Sequence, residues 1–211
     1  MVCVQMFIEK GFRATTMLDI IKEADVSSGT FQNIFKTKDG VLKELIEFMF
    51  QSQFAMAKNI SDRDPVLVYA LETAIQLAIV ESNENIREIY TEVYTQEELS
   101  NLIQEKTTEE LIQIFRQYNP SWEESDFFEN EIGTSGIMRA YMAKPCGRYF
   151  TLKRKTDKFL HMTLKAYNVP SEKIDSILKS VESMDISSIA KDVMNKLFMA
   201  LEMQFNFKFN R

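Results

Sequence analysis

The sequence predicts an all-α protein: an N-terminal three-helix unit with a helix-turn-helix, then a larger helical domain. Three observations point there. Apolar residues recur at three- and four-residue spacing along most of the chain. The hydrophobic fraction is 45%, which supports a buried core and argues against disorder. Residues 16–35, TMLDIIKEADVSSGTFQNIF, read as helix, tight turn and helix, and the second helix opens with small polar residues. That order can place a helix N-terminus in a DNA major groove.

The first predicted helix carries Val4, Phe7 and Ile8 on one face and ends at Gly11. Thr16 is an N-cap with Asp19 three residues on, and Met17, Ile20, Ile21 and Ala24 supply the apolar face. Asp25 sits at a turn where a left-handed backbone is expected. Ser27 caps the next helix, with Phe31, Ile34 and Phe35 inward and Ser28, Gly29, Thr30, Gln32 and Asn33 outward. Glycine inside a short helix costs roughly 1 kcal/mol, so Gly29 needs a reason such as close approach to a phosphate backbone. Thr37 caps a long helix that continues through Phe48, Phe54 and Met56 as a connector.

The division expected is residues 1–48 for the head and 49–211 for the body. Pro65 opens a helix with Val68, Leu71, Ile75 and Ile79 on its apolar face. Later helices are expected around Ile86–Tyr94, Leu99–Tyr118, Phe127–Tyr141 (capped by Ser121), Phe150–Tyr167 and Ser171–Val181. Asp185 caps the last, which carries Ile186, Ile189, Val193, Leu197, Leu201 and Phe205. Gly133 and Gly136 fall inside a helix, either for close packing or to leave room for an effector. The run Lys153-Arg154-Lys155 reads as a solvated face.

Composition excludes several classes. A net charge of -6 argues against a generic basic nucleic-acid coat, though not against a small reading head on an acidic body. Two cysteines, Cys3 and Cys146, cannot form a disulfide framework and imply a reducing, cytoplasmic setting. No stretch gives 18 uncharged apolar residues, so no membrane span is expected. His161 is the lone histidine, the cysteines lack metal-binding spacing and the glycines form no phosphate loop. No enzyme activity, metal or cofactor is expected.

The stretch EKGFRATTMLDIIKEADVSSGTFQNIFKTKDGVLKEL resembles the N-terminal domain of the TetR family of transcriptional regulators. Phe7, Gly11-Phe12, Thr16, Ile20, Ala24, the block Val26–Phe31, Phe35, Lys38 and Leu42 carry the likeness. The resemblance implies a homodimer with one reading head per protomer, and a helical body whose small effector weakens operator binding. Gln32 departs from the family's usual phosphate-contacting Tyr, and Asp25 from its usual turn Gly. The family pattern also has a longer first helix with a polar or basic arm before it; the chain begins about two helical turns short of that. These departures motivate an alternative, a helical interaction or sensor protein that kept the fold without DNA binding.

The candidate DNA contacts are Thr16, Ser27, Ser28, Gly29, Thr30, Gln32, Asn33, Lys36 and Lys38, meeting a palindromic operator in double-stranded DNA. Lys36 and Lys38 are the expected phosphate ligands. A mostly apolar pocket for a small hydrophobic effector is expected among Tyr69, Tyr90, Tyr94, Phe115, Met138, Tyr141, Phe159 and Met162, because the chain is rich in Phe and adaptable Met. Dimerisation is expected through Val193, Leu197 and Leu201. The Phe127–Tyr141 helix with the Phe150–Tyr167 helix is the other candidate surface.

Overall fold

Local capping chemistry sets the first four helices. The structure, a computed structural model, describes residues 2–61 and 64–209, with the backbone alone at 52, 53, 197 and 200–209. Helix α1 (Val2–Lys10) buries Val4 and Phe7. It stops at Gly11, whose φ of 93° is the left-handed conformation that favours glycine. Helix α2 (Met17–Glu23) starts with a reciprocal box: Thr16 Oγ1 accepts from Asp19 N at 3.1 Å, and Asp19 Oδ2 accepts from Thr16 N at 3.0 Å. Asp25 takes the turn at φ 51°. Helix α3 (Ser28–Phe35) is capped by Ser27, which accepts from Thr30 N at 3.0 Å.

The junction to α4 (Lys38–Ile60) is tight. Lys36 has φ 59° and ψ −51°, and Thr37 N donates to Phe35 O at 2.6 Å. This is a γ-turn of the strained, positive-φ kind. Thr37 then caps α4 through Gly40 N at 3.0 Å. Helix α4 runs unbroken past residue 48 to Ile60.

The body comprises α5 (Pro65–Ser82), α6 (Glu84–Val93), α7 (Glu97–Phe115) with a 3₁₀ turn at Arg116–Tyr118, α8 (Glu124–Ala143), α9 (Leu152–Ala166), α10 (Ser171–Glu182) and α11 (Ile186–Phe209). No strand occurs among the described residues; a lone bridge joins Gly147 and Phe150. Helix α5 is the centre. It packs against α4, α6, α9, α10 and α11, and is buried continuously from Val68 to Val80. Its length and apolarity would let it cross a membrane, but 72% of it is buried inside the bundle. A core helix surrounded by others has the same composition.

Several expectations change. Ser121 does not cap α8; Glu123 and Asp126 form that cap instead. Ile34 is 45% exposed, because an eight-residue helix turns only Phe31 and Phe35 fully inward. Lys155 is not solvated. It is fully buried, its ammonium held by Glu81 and Lys144 O above the Phe150 ring. A methyl group added at Gly133 or Gly136 would meet no atom within 4 Å, so close packing does not explain these glycines. Val193 is 2% exposed within one protomer, where α11 packs on α5 and α4. It is therefore covered by its own chain, not left for a partner. The side chains of Leu197 and Leu201 lie outside the described residues.

Candidate functional site

The outer face of α3 presents Ser28, Gly29, Thr30, Gln32, Asn33, Ile34 and then Lys36, all exposed. Ser27 Oγ and Thr30 Oγ1 lie 2.9 Å apart at the helix N-terminus. Gly29 meets nothing nearer than Ser27 Oγ at 3.8 Å, so the fold itself leaves room for a side chain there. Spacing alone puts Ile34 in the core, yet it stands on this outer face. An apolar side chain there suits a thymine methyl.

Most cations of the head are engaged internally. Lys10 pairs with Asp19 at 2.7 Å and thereby holds the Asp19 carboxyl well below the usual carboxylate range. Arg13 pairs with Glu92 at 2.9 Å, and Lys43 with Glu98 at 3.1 Å. Lys38 departs from the expected phosphate ligand. Its ammonium donates to Phe12 O at 2.9 Å and Thr15 O at 3.1 Å, and sits 4.2 Å from the Phe12 ring centroid. It ties the loop before α2 to α4. Among the described residues of the head, Lys22 and Lys36 are the cations with neither an ion pair nor a side-chain hydrogen bond.

Helix α6 joins head to body. Asn85 Nδ2 donates to Ile8 O at 2.8 Å, and Arg13 N donates to Glu88 Oε1 at 3.2 Å. A Cβ on Gly11 would stand 2.8 Å from Glu88 Oε2, a flexible carboxylate end that can move, so it is the positive φ that calls for glycine here. The opposite face of α6 carries Tyr90 and Val93 into a cavity in the body.

That cavity has a volume of about 60 Å³. Helix α4 contributes Ile46, Met49, Phe50 and Phe54; α5 contributes Tyr69, Glu72, Thr73 and Gln76; α8 contributes Glu131, Thr134, Ser135 and Met138. Of the expected lining, Tyr69, Tyr90, Tyr94, Met138 and Phe159 are present. Three are not. Phe115 is fully buried behind Tyr69 and stacked on Tyr167 with centroids 4.4 Å apart. Tyr141 packs between Phe150 and Phe159. Met162 is 39% exposed on the outside of the bundle.

Sequence reasoning missed the polar lining. Glu72 and Glu131 are buried, and neither forms a salt bridge among the described residues. Gln76 Nε2 donates to Glu72 Oε1, while Gln76 Oε1 is buried without a partner. Glu131 Oε2 accepts from Thr134 Oγ1 at 2.7 Å and from Tyr167 OH at 3.4 Å. The sequence does carry a signal: Glu72 is a lone acid between Val66 and Val80.

Burial pushes the Glu72 carboxyl up to about 8, with the Glu131 and Glu110 charges adding to it, and burial pushes Glu131 up to about 7. Above an ordinary value of 4.5 the unfolded chain has lost these protons while the folded one keeps them. The two groups therefore stabilise the fold less as pH rises through that window. The thermal midpoint should fall between pH 5 and pH 8 by more in the native protein than in a Glu72→Gln, Glu131→Gln protein. Scanning calorimetry across that range checks it; parallel profiles would contradict it.

A capped helix-turn-helix with a small polar reading face, set on an all-helical body, defines the class of helical DNA-binding regulators. Residues 3–45 match the family model described as bacterial regulatory proteins, tetR family. The N-terminal domain is therefore that of a TetR-type DNA-binding transcriptional regulator. No curated protein and no solved structure matches the chain.

Proposed function

We propose that the chain is a ligand-responsive cytoplasmic repressor, with residues 1–48 as the DNA-reading head and residues 49–211 as the ligand-binding and dimerisation body. The observation that carries this reading is the path of α4. The same helix begins against α3 and lines the body cavity through Ile46, Met49, Phe50 and Phe54. From Lys38 to Phe54 it spans about 24 Å at 1.5 Å per residue. Helix α6 makes a second link, with Asn85, Glu88 and Glu92 on the head and Tyr90 on the cavity.

A cavity of about 60 Å³ holds a few waters, well short of the roughly 300–1,000 Å³ of small-molecule sites. An effector must therefore part the helices that line it, α4 among them. That displacement would reset the spacing of two heads on a palindromic operator, lowering its occupancy. Calorimetry tests the coupling by reciprocity. The effector should bind less tightly when operator is present, and equal affinity in both states would refute the mechanism.

The dimer proposed here uses α8 and α9. Ile132 is 48% exposed, Met162 is 39% exposed, and Gly133 and Gly136 leave room for a second copy to approach.

With Lys22 and Lys36 as the head cations that no other group of the described residues engages, a dimer would neutralise about four phosphates, for a salt slope of roughly −4 on a log–log plot. Lys36→Ala should make it shallower by about two, one contact per protomer. Binding titrations from low to physiological salt read this directly. An unchanged slope would remove Lys36 from the interface. The internal pairing of so many head cations also favours a second reading, a helical interaction or sensor protein that does not bind DNA.

A further inference from the structure

The cavity's chemistry names a ligand class, an inference that rests on the effector reading above. We infer that the cavity takes a hydrophobic cation, an amine or quaternary ammonium on an apolar skeleton, whose positive charge lies between Glu72 and Glu131.

Three observations converge. Two carboxyl groups, 4% and 6% exposed, line one small cavity, and among the described residues no Lys or Arg pairs with either. Buried carboxyls are ordinarily paired, and their isolation is costly. Second, Gln76 Oε1 is a buried acceptor in the same cavity with no donor, although its own amide nitrogen is engaged by Glu72. That unfilled acceptor sits beside two carboxyls that become acceptors on ionisation. Third, the remaining wall is aromatic: Phe50, Phe54, Tyr69, Tyr94 and Phe159 offer ring surface to a positive charge. An anion would meet two acids and an unpaired carbonyl. A neutral hydrocarbon would fill the aromatic part and leave the acids as they are. A cation satisfies both.

The Glu131 charge disfavours ionisation of Glu72 across the cavity. A bound cation reverses that and draws both towards the carboxylate form, so binding near neutral pH should release protons.

The test uses the full chain and two apolar skeletons, 4-phenylbutyl and decyl. Each is presented as the trimethylammonium, the alcohol and the carboxylate. In titration calorimetry the ammonium should bind at least about tenfold tighter than its alcohol, with the carboxylate weakest. Repeating the titration in buffers of different ionisation enthalpy should show proton release for the ammonium alone. Glu72→Gln and Glu131→Gln should each remove most of the ammonium's advantage and leave the alcohol's affinity within a few-fold, with thermal melts reporting that both variants fold. Ammonium no tighter than alcohol, no detectable ammonium binding, or an advantage that survives both substitutions would each overturn the assignment. Failure of the regulator reading looks different: the ammonium would bind with the expected preference while operator affinity stayed unchanged.

Discussion

Replacing Gly40 by Ala should destabilise the head and abolish selective DNA binding together. A Cβ at this position would stand 2.0 Å from Phe35 O and 3.1 Å from Phe35 C. Both are backbone atoms, so no side-chain rotation relieves the overlap. The cause lies in the junction between α3 and α4. The γ-turn at Lys36 directs the Phe35 carbonyl onto the first turn of α4, where Thr37 N already takes it at 2.6 Å. To admit a methyl group, α3 must shift relative to α4. Overpacking of this kind costs roughly 1–3 kcal/mol or somewhat more, a large share of a typical domain's stability. The reading face would move with α3. Thermal melts followed by circular dichroism check the first effect, and operator titrations the second. A Gly40→Ala protein with unchanged melting and unchanged affinity would show that the junction is not as tight as described.

The second large effect is expected in the body, from Phe115→Ala. Phe115 is fully buried, stacked on Tyr167 at an interplanar angle of 4° and edge-on to Tyr69 at 5.2 Å. Asn119 fastens the same place, donating to Phe115 O at 3.0 Å and to Tyr167 O at 2.9 Å. Removing the ring should cost about 3–5 kcal/mol, because the surrounding helices cannot collapse into the space. The midpoint of thermal unfolding should fall by about 10 °C in a chain of this length. Tyr69 would lose its backing ring and gain freedom beside the cavity, so the variant should also bind bulkier ligands. A shift of only a degree or two would mean that the Phe115–Tyr167 stack contributes little.

These two sites show where the sequence is legible and where it is not. The head can be read closely because its determinants are local. Thr16 with Asp19, Ser27, Thr37 and Gly11 act within a few residues of themselves, and each occupies its expected cap or turn. Lys38 escapes such a reading because its partners, Phe12 O and Thr15 O, are set by how the loop folds back on α4. Helical periodicity finds the apolar stripe of α5 but gives its other face to solvent. The helices packed around α5 cover that face, which places Glu72 inside. The reverse error at Phe115 has the same origin. An aromatic residue at helical spacing is either core or pocket wall, and only its neighbours on distant segments distinguish the two.

The central claim is that α3 reads a DNA sequence on behalf of the helical body. The most direct measurement is a binding selection from random duplexes at low salt with the full-length protein. The expected result is enrichment of an inverted repeat, with a changed base preference in each half-site for Asn33→Ala and weaker binding on all sequences for Lys36→Ala. Recovery of a pool no different from the input would contradict the claim and leave a helical sensor that works without DNA.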